Sequence, residues 1–169
     1  TSSRLHAFFA HEFMHLIYLN ERELKRGVQD DAWIQEGFAE VAPSFADLPI
    51  SFEESYLAKR VRDFASNPRD SLTEWLNKRS DYGVTFLFFH YLKDQYGIEL
   101  LRDILRSSLK GINAIDEALE KSETNKTFSQ VFEDWTIAVF ANDCSLGERY
   151  CYIDENLKDV RVLAFTSFL

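Results

Sequence analysis

Apolar residues recur at helical spacing along most of the chain. From Ser3 to about Leu24, the side chains of Leu5, Phe8, Phe9, Phe13, Leu16 and Ile17 cover most of a helix circumference, which predicts a helix buried on nearly every side. A second helix is expected from about Asp31, an N-cap residue type, to the neighbourhood of Pro43, whose ring cannot continue it. Phe52, Tyr56, Leu57, Val61 and Phe64 mark a third, closed by Asn67-Pro68. A long apolar helix follows from about Tyr82 to Tyr96 and stops at Gly97. Another is expected over Ile98 to Leu109, ended by Gly111, with shorter ones over Ile112 to Lys121 and over Phe128 to Ala141, the latter opening after Thr127. Only the tail, Val160 to Phe165, reads as a strand. The expected fold class is mostly α, a multi-helix lobe with little or no β-sheet.

Composition agrees with that pattern and narrows the partners. At 169 residues the chain suits one domain, and 46% hydrophobic content with only six glycines and three prolines describes a packed helical body rather than a disordered one. Trp75 and Trp135 lie among apolar neighbours and belong to its core. A formal net charge of −9 repels nucleic acid and anionic lipid, so neither is an expected partner. No apolar stretch is long enough to cross a bilayer. The chain opens Thr-Ser-Ser-Arg and its single methionine is Met14, which reads as a piece of a longer sequence. Cys144 and Cys151 flank Gly147 and are open to two readings. A disulfide there would close a short loop and contribute about 2.5 kcal/mol, and would point to an exported protein. Two free thiols fit the spacing equally well.

The chemistry-bearing pattern sits on the first helix. His11-Glu12-Phe13-Met14-His15 is an H-E-x-x-H sequence. Histidines four apart project from one helix face about one turn apart, so both rings can reach one ion at about 2.0–2.1 Å. Glu12 lies near them without being needed as a ligand, and can hold a water at an open metal position and take its proton. Two imidazoles and a carboxylate in a mostly apolar helix are costly to desolvate unless something satisfies them, and a bound cation does so directly. The second helix reads Trp33-Ile34-Gln35-Glu36-Gly37-Phe38-Ala39-Glu40. Glu36 can complete a His₂Glu set and leave a fourth position open. Glu40, one turn on, is placed to accept a ring N–H from a ligand histidine; the alternative is a solvated helix carboxylate. Gly37 allows the two helices to pack closely.

H-E-F-M-H followed by W-I-Q-E-G-F-A-E resembles the gluzincin metallopeptidases, whose second motif is typically W-L-N-E-G-x-A-E. The resemblance continues through Asp81 to Leu92, Gly111 to Leu119 and Thr127 to Trp135. It is nearest to the hyicolysin-type neutral zinc metallopeptidases, over roughly Leu5 to Ala141. It implies Zn²⁺ as cofactor, His11, His15 and Glu36 as ligands, Glu12 as general base and Glu40 as partner of a ligand histidine. Gln35 stands where that family usually has Asn. Tyr82 matches the position of a tyrosine that donates to the tetrahedral oxyanion in aminopeptidase-type relatives; the alternative is a core or helix-cap tyrosine. His90 reads as a buried, satisfied histidine. The implied activity is hydrolysis of a protein or peptide substrate, in a secreted, cell-surface or periplasmic setting. Because relatives carry a β-sheet before the metal-binding helix, the resemblance also implies an upstream β-subdomain beyond this chain. An aminopeptidase-type exopeptidase and an inactive, zinc-retaining interaction module remain open alternatives.

Overall fold

The computed structural model describes residues 2–45, 55–66 and 68–162. Within them the helical periodicity becomes six α-helices. Helix α1 (Ser2–Tyr18) runs on into a π-helical turn, Leu19–Leu24. Helix α2 (Ala32–Val41) starts beside Asp31, whose backbone is extended, and gives way to a 3₁₀ turn, Ala42–Phe45, where Pro43 sits. Helices α3 (Tyr56–Ser66), α4 (Arg79–Arg106), α5 (Gly111–Lys121) and α6 (Phe128–Ala141) follow. The stop expected at Gly97 is a break within α4: its φ of 79° interrupts the helical path before Ile98 resumes it. No strand occurs among the described residues. Of the expected tail strand, Val160 to Val162 is irregular, and 163–165 lie outside the described residues, as do Phe52 and Asn67.

Helix α4 is the axis of the body. Its segment from Gly83 to Leu92 is buried at every position, so it has no solvent face and needs neighbours all round. Thr85 meets that demand by donating its hydroxyl to the Asp81 carbonyl at 3.0 Å. Phe88 and Phe89 join α2, α4 and α6 through edge-on ring contacts with Trp33, Phe38 and Trp135. Two close approaches depend on glycine. A Cβ on Gly83 would overlap the backbone carbonyl of Arg60 on α3, and one on Gly37 would overlap the Phe89 ring. Gly37→Ala should therefore lower stability by about 1–3 kcal/mol, read from urea unfolding midpoints, because the packed Phe89 ring has to move.

One expectation is corrected here. Helix α1 is not buried on nearly every side: Leu5, Phe8, Phe9, Phe13 and Leu16 are all more than half exposed. The helix packs through a single face, carrying Ala7, Met14 and Tyr18, and no described element lies over the other. A full apolar circumference shows that a helix could be covered, not that this chain covers it.

Polar clasps tie the helices at their ends. Arg22, almost fully buried, donates Nε to Asp30 Oδ2 at 2.8 Å and Nη2 to the same oxygen. It also reaches the carbonyls of Ile104 (3.2 Å), Ser107 and Leu109 (2.6 Å). Asp30 accepts in addition from the Tyr18 hydroxyl at 2.6 Å and the Gly111 amide at 2.8 Å, so one ion pair joins the α1–α2 loop to the α4–α5 junction. Beyond α6, Asn142 takes the left-handed cap position with φ 40° and donates its carboxamide to the carbonyls of Leu157, Lys158 and Val160. Cys144 and Cys151 form a disulfide, which resolves the two readings of their spacing. His90 is buried, as expected, with its Nε2 3.2 Å from Asp154 and 3.5 Å from Asp94. Neither ring nitrogen makes an aligned hydrogen bond with a described residue.

Candidate metal centre

The site forms where α1 crosses α2. The four-residue spacing sets His11 and His15 one turn apart, and their Nε2 atoms face each other at 3.2 Å. Glu36, on the second turn of α2, brings Oε2 to 3.7 Å from His11 Nε2 and 3.8 Å from His15 Nε2. Helix–helix contact fixes this approach. Tyr18 on α1 packs against Phe38 on α2, with ring centroids 5.6 Å apart, and the Phe38 ring rests on Phe89 of α4. Gln35, flanking the carboxylate, donates to the Asp30 carbonyl at 3.2 Å and steadies the start of α2.

Three donor atoms at these separations suit one small cation. A tetrahedral ion with ligands at about 2.0–2.2 Å has ligand–ligand edges of about 3.3–3.6 Å, close to the distances above. Among the described residues, His11, His15 and Glu36 are the one such convergent group of His, Cys and carboxylate side chains. The site also holds orphaned polar atoms: His11 Nδ1, Glu36 Oε2 and Glu40 Oε2 are buried and lack an aligned hydrogen-bond partner. Buried polar atoms without partners are costly, and a divalent ion at the centre would directly satisfy the Glu36 oxygen. The residues present therefore fit zinc.

Electrostatics concentrate negative charge there. Burial opposes a charge on His11, but Glu40, Glu36 and Glu12 together outweigh it and hold its pKa above the usual imidazole value. Burial and the neighbouring His11 hold His15 below that value. Burial, partly offset by His11, raises the Glu36 carboxyl.

The remaining expected site residues stand around this group. Glu40 is fully buried, and its Oε1 lies 3.1 Å from His11 Nδ1, close enough to bond but off the axis of the ring N–H. Glu12 is exposed, on the border between the histidine face of α1 and the stripe of Leu5, Phe8, Phe9, Phe13 and Leu16. Tyr82, in the first turn of α4, is half-buried and packs edge-on against Trp75 at 4.8 Å. Its hydroxyl donates to Asn77 Oδ1 at 2.7 Å, so it is not in bonding contact with the histidines or Glu36. Burial and then the charge of Glu36 raise its pKa.

Arg60 escaped the sequence reading. Its guanidinium bonds Glu40 Oε1 and lies over the rings of Tyr82, 4.0 Å from the centroid, and Tyr56, 4.8 Å from the centroid. In an amphipathic helix an arginine reads as part of the solvated face. The available signal was Gly83, which marks close packing on α4 but does not say against what.

No protein-family model matches the chain. It is similar to the neutral metalloprotease ShpI of Staphylococcus hyicus, with 27% identity in an alignment 134 positions long that covers 70% of this chain. The aligned part spans 28% of that protein's length. The likeness supports a relationship to metallopeptidases.

Proposed function

We propose that this protein is a zinc-dependent peptidase in which His11, His15 and Glu36 hold the ion and Glu12 is the general base. The observation that carries the proposal is the convergence of one carboxylate oxygen and two ring nitrogens, within 4.8 Å of one another, on the helix pair that also carries Glu12. A zinc ion bound there supplies a Lewis-acidic position at which water is activated toward a peptide carbonyl.

The chain's own residues supply the rest. Glu12, adjoining the ligand set and open to solvent, accepts the proton of the attacking water and delivers it to the leaving amine. Glu40 holds the Nδ1 side of His11, which keeps Nε2 directed at Glu36 and His15. Tyr82 is the donor proposed for the developing oxyanion, a role in which its hydroxyl exchanges Asn77 for substrate. The substrate class is an unstructured protein or peptide. The bonded pair Cys144–Cys151 favours an oxidising compartment, and we place the protein outside the cytoplasm.

Metal analysis of the purified protein tests the reading. About one zinc per chain is expected, and a chelator should lower the melting temperature because the ion satisfies groups that are otherwise buried and unpaired. No bound zinc after incubation with the metal would overturn it.

A further inference from the structure

We infer that Arg60 is a positioning residue for the metal ligand His11, acting through Glu40. The inference rests on the zinc reading above and extends the site to a third helix. Glu40 is buried completely, and the described partners of its carboxylate are His11 and Arg60, both at Oε1. Its Oε2 has no aligned hydrogen-bond partner among the described residues. A buried carboxylate that shares one oxygen between two partners keeps its orientation toward the first only while the second holds it, and Arg60 is that second partner.

Arg60 is itself well held. Gly83 lets α3 press its backbone at Arg60 directly against α4, where any Cβ would overlap the Arg60 carbonyl. The guanidinium is then seated over the Tyr82 and Tyr56 rings, which restrict where its plane can lie. A stacked, planar guanidinium donates in a fixed direction, which an ammonium on a flexible stem does not. The order of support is thus Gly83 and the two tyrosines, then Arg60, then Glu40, then the His11 ring. Arg60 is only partly exposed and touches none of the three ligand atoms, so its influence on the metal runs through the Glu40 carboxylate.

The test is zinc affinity of the folded protein, measured by competition with a chromophoric chelator, together with the visible spectrum of the cobalt-substituted site. Arg60→Ala should weaken zinc binding by about 10–100-fold and shift the cobalt bands, as loss of an outer partner of a ligand histidine does. Arg60→Lys, which keeps the charge but not the stacked fork, should recover part of the affinity; it also carries the test if the alanine variant does not fold. In a Glu40→Gln background, Arg60→Ala should cost little more, because the route through the carboxylate is already cut. A purely structural arginine would lower the melting temperature and leave affinity and spectrum unchanged. Wild-type affinity in Arg60→Ala and Arg60→Lys, or an undiminished loss in the Glu40→Gln background, would overturn the inference while leaving the zinc reading intact. Absence of zinc binding by the wild type would overturn both.

Discussion

Replacing Glu12 by glutamine is expected to leave zinc bound at the proposed ligands His11, His15 and Glu36, and to lower peptide hydrolysis by the full-length protein by about 10²–10⁴-fold. The substitution keeps the shape and one oxygen of the side chain but removes its basicity. Glu12 is exposed and its carboxylate is not in the convergent donor group, so neither the fold nor the ligand set depends on it. Nothing else at the site is as free to take the proton. In the proposed mechanism the His11 and His15 Nε2 atoms are ligands and the Tyr82 hydroxyl is a donor, while Glu40 faces His11 and Arg60. Metal content and hydrolysis of an unfolded protein, measured on the same preparation, separate the two effects. Loss of the metal along with activity would make Glu12 a ligand and require a different mechanism.

Asp30→Ala should destabilise the protein by about 3–5 kcal/mol in equilibrium urea unfolding. Arg22 is almost wholly removed from water, and among the described residues Asp30 is the carboxylate with which it makes an ion pair. Taking the carboxylate away leaves a buried guanidinium whose remaining described partners are the carbonyls of Ile104, Ser107 and Leu109 and the Tyr18 ring, all uncharged. It also strands the Tyr18 hydroxyl and the Gly111 amide. Asp30→Asn should cost less, since its one carboxamide oxygen still accepts from one of those two donors, which bond different oxygens of Asp30. A change below about 1 kcal/mol in the alanine variant would mean that water reaches Arg22 and that the pair is effectively a surface one.

Helices α2, α4, α5 and α6 were legible because their apolar positions and the signals beside them are local: Pro43 follows the end of α2, and Thr127 caps α6. The stops expected at Gly97 and Gly111 were misplaced, since Gly97 only breaks α4 and Gly111 opens α5. The convergent donor group was legible as well, because its geometry follows from helical spacing within α1 and from one carboxylate on the next helix. What could not be read depends on contacts distant in sequence. The apolar circumference of α1 promised burial, yet Phe9, Phe13 and Leu16 face solvent, since periodicity records which faces are apolar and not what lies against them. Arg60 carries no motif at all: its environment is made by Gly83 and Tyr82, on another helix, and by Glu40 on a third. Asp30, between α1 and α2, carries no local signal of its role, because the Gly111 amide it accepts from lies at the α4–α5 junction.

The route of the chain through the site also bears on how the site assembles. His11 and Glu36 are about 25 residues apart, and closing a loop of that length carries a modest entropic cost that grows only logarithmically with length. The three convergent donor atoms lie on a pair of consecutive helices, so gathering them calls on contacts of low sequence separation. The brace behind Glu40 reaches further along the chain, because Arg60 is seated where α3 docks against Gly83 on α4. The donor group and the stiffness of its outer partner therefore draw on different parts of the fold, one local and one that needs the whole helical body.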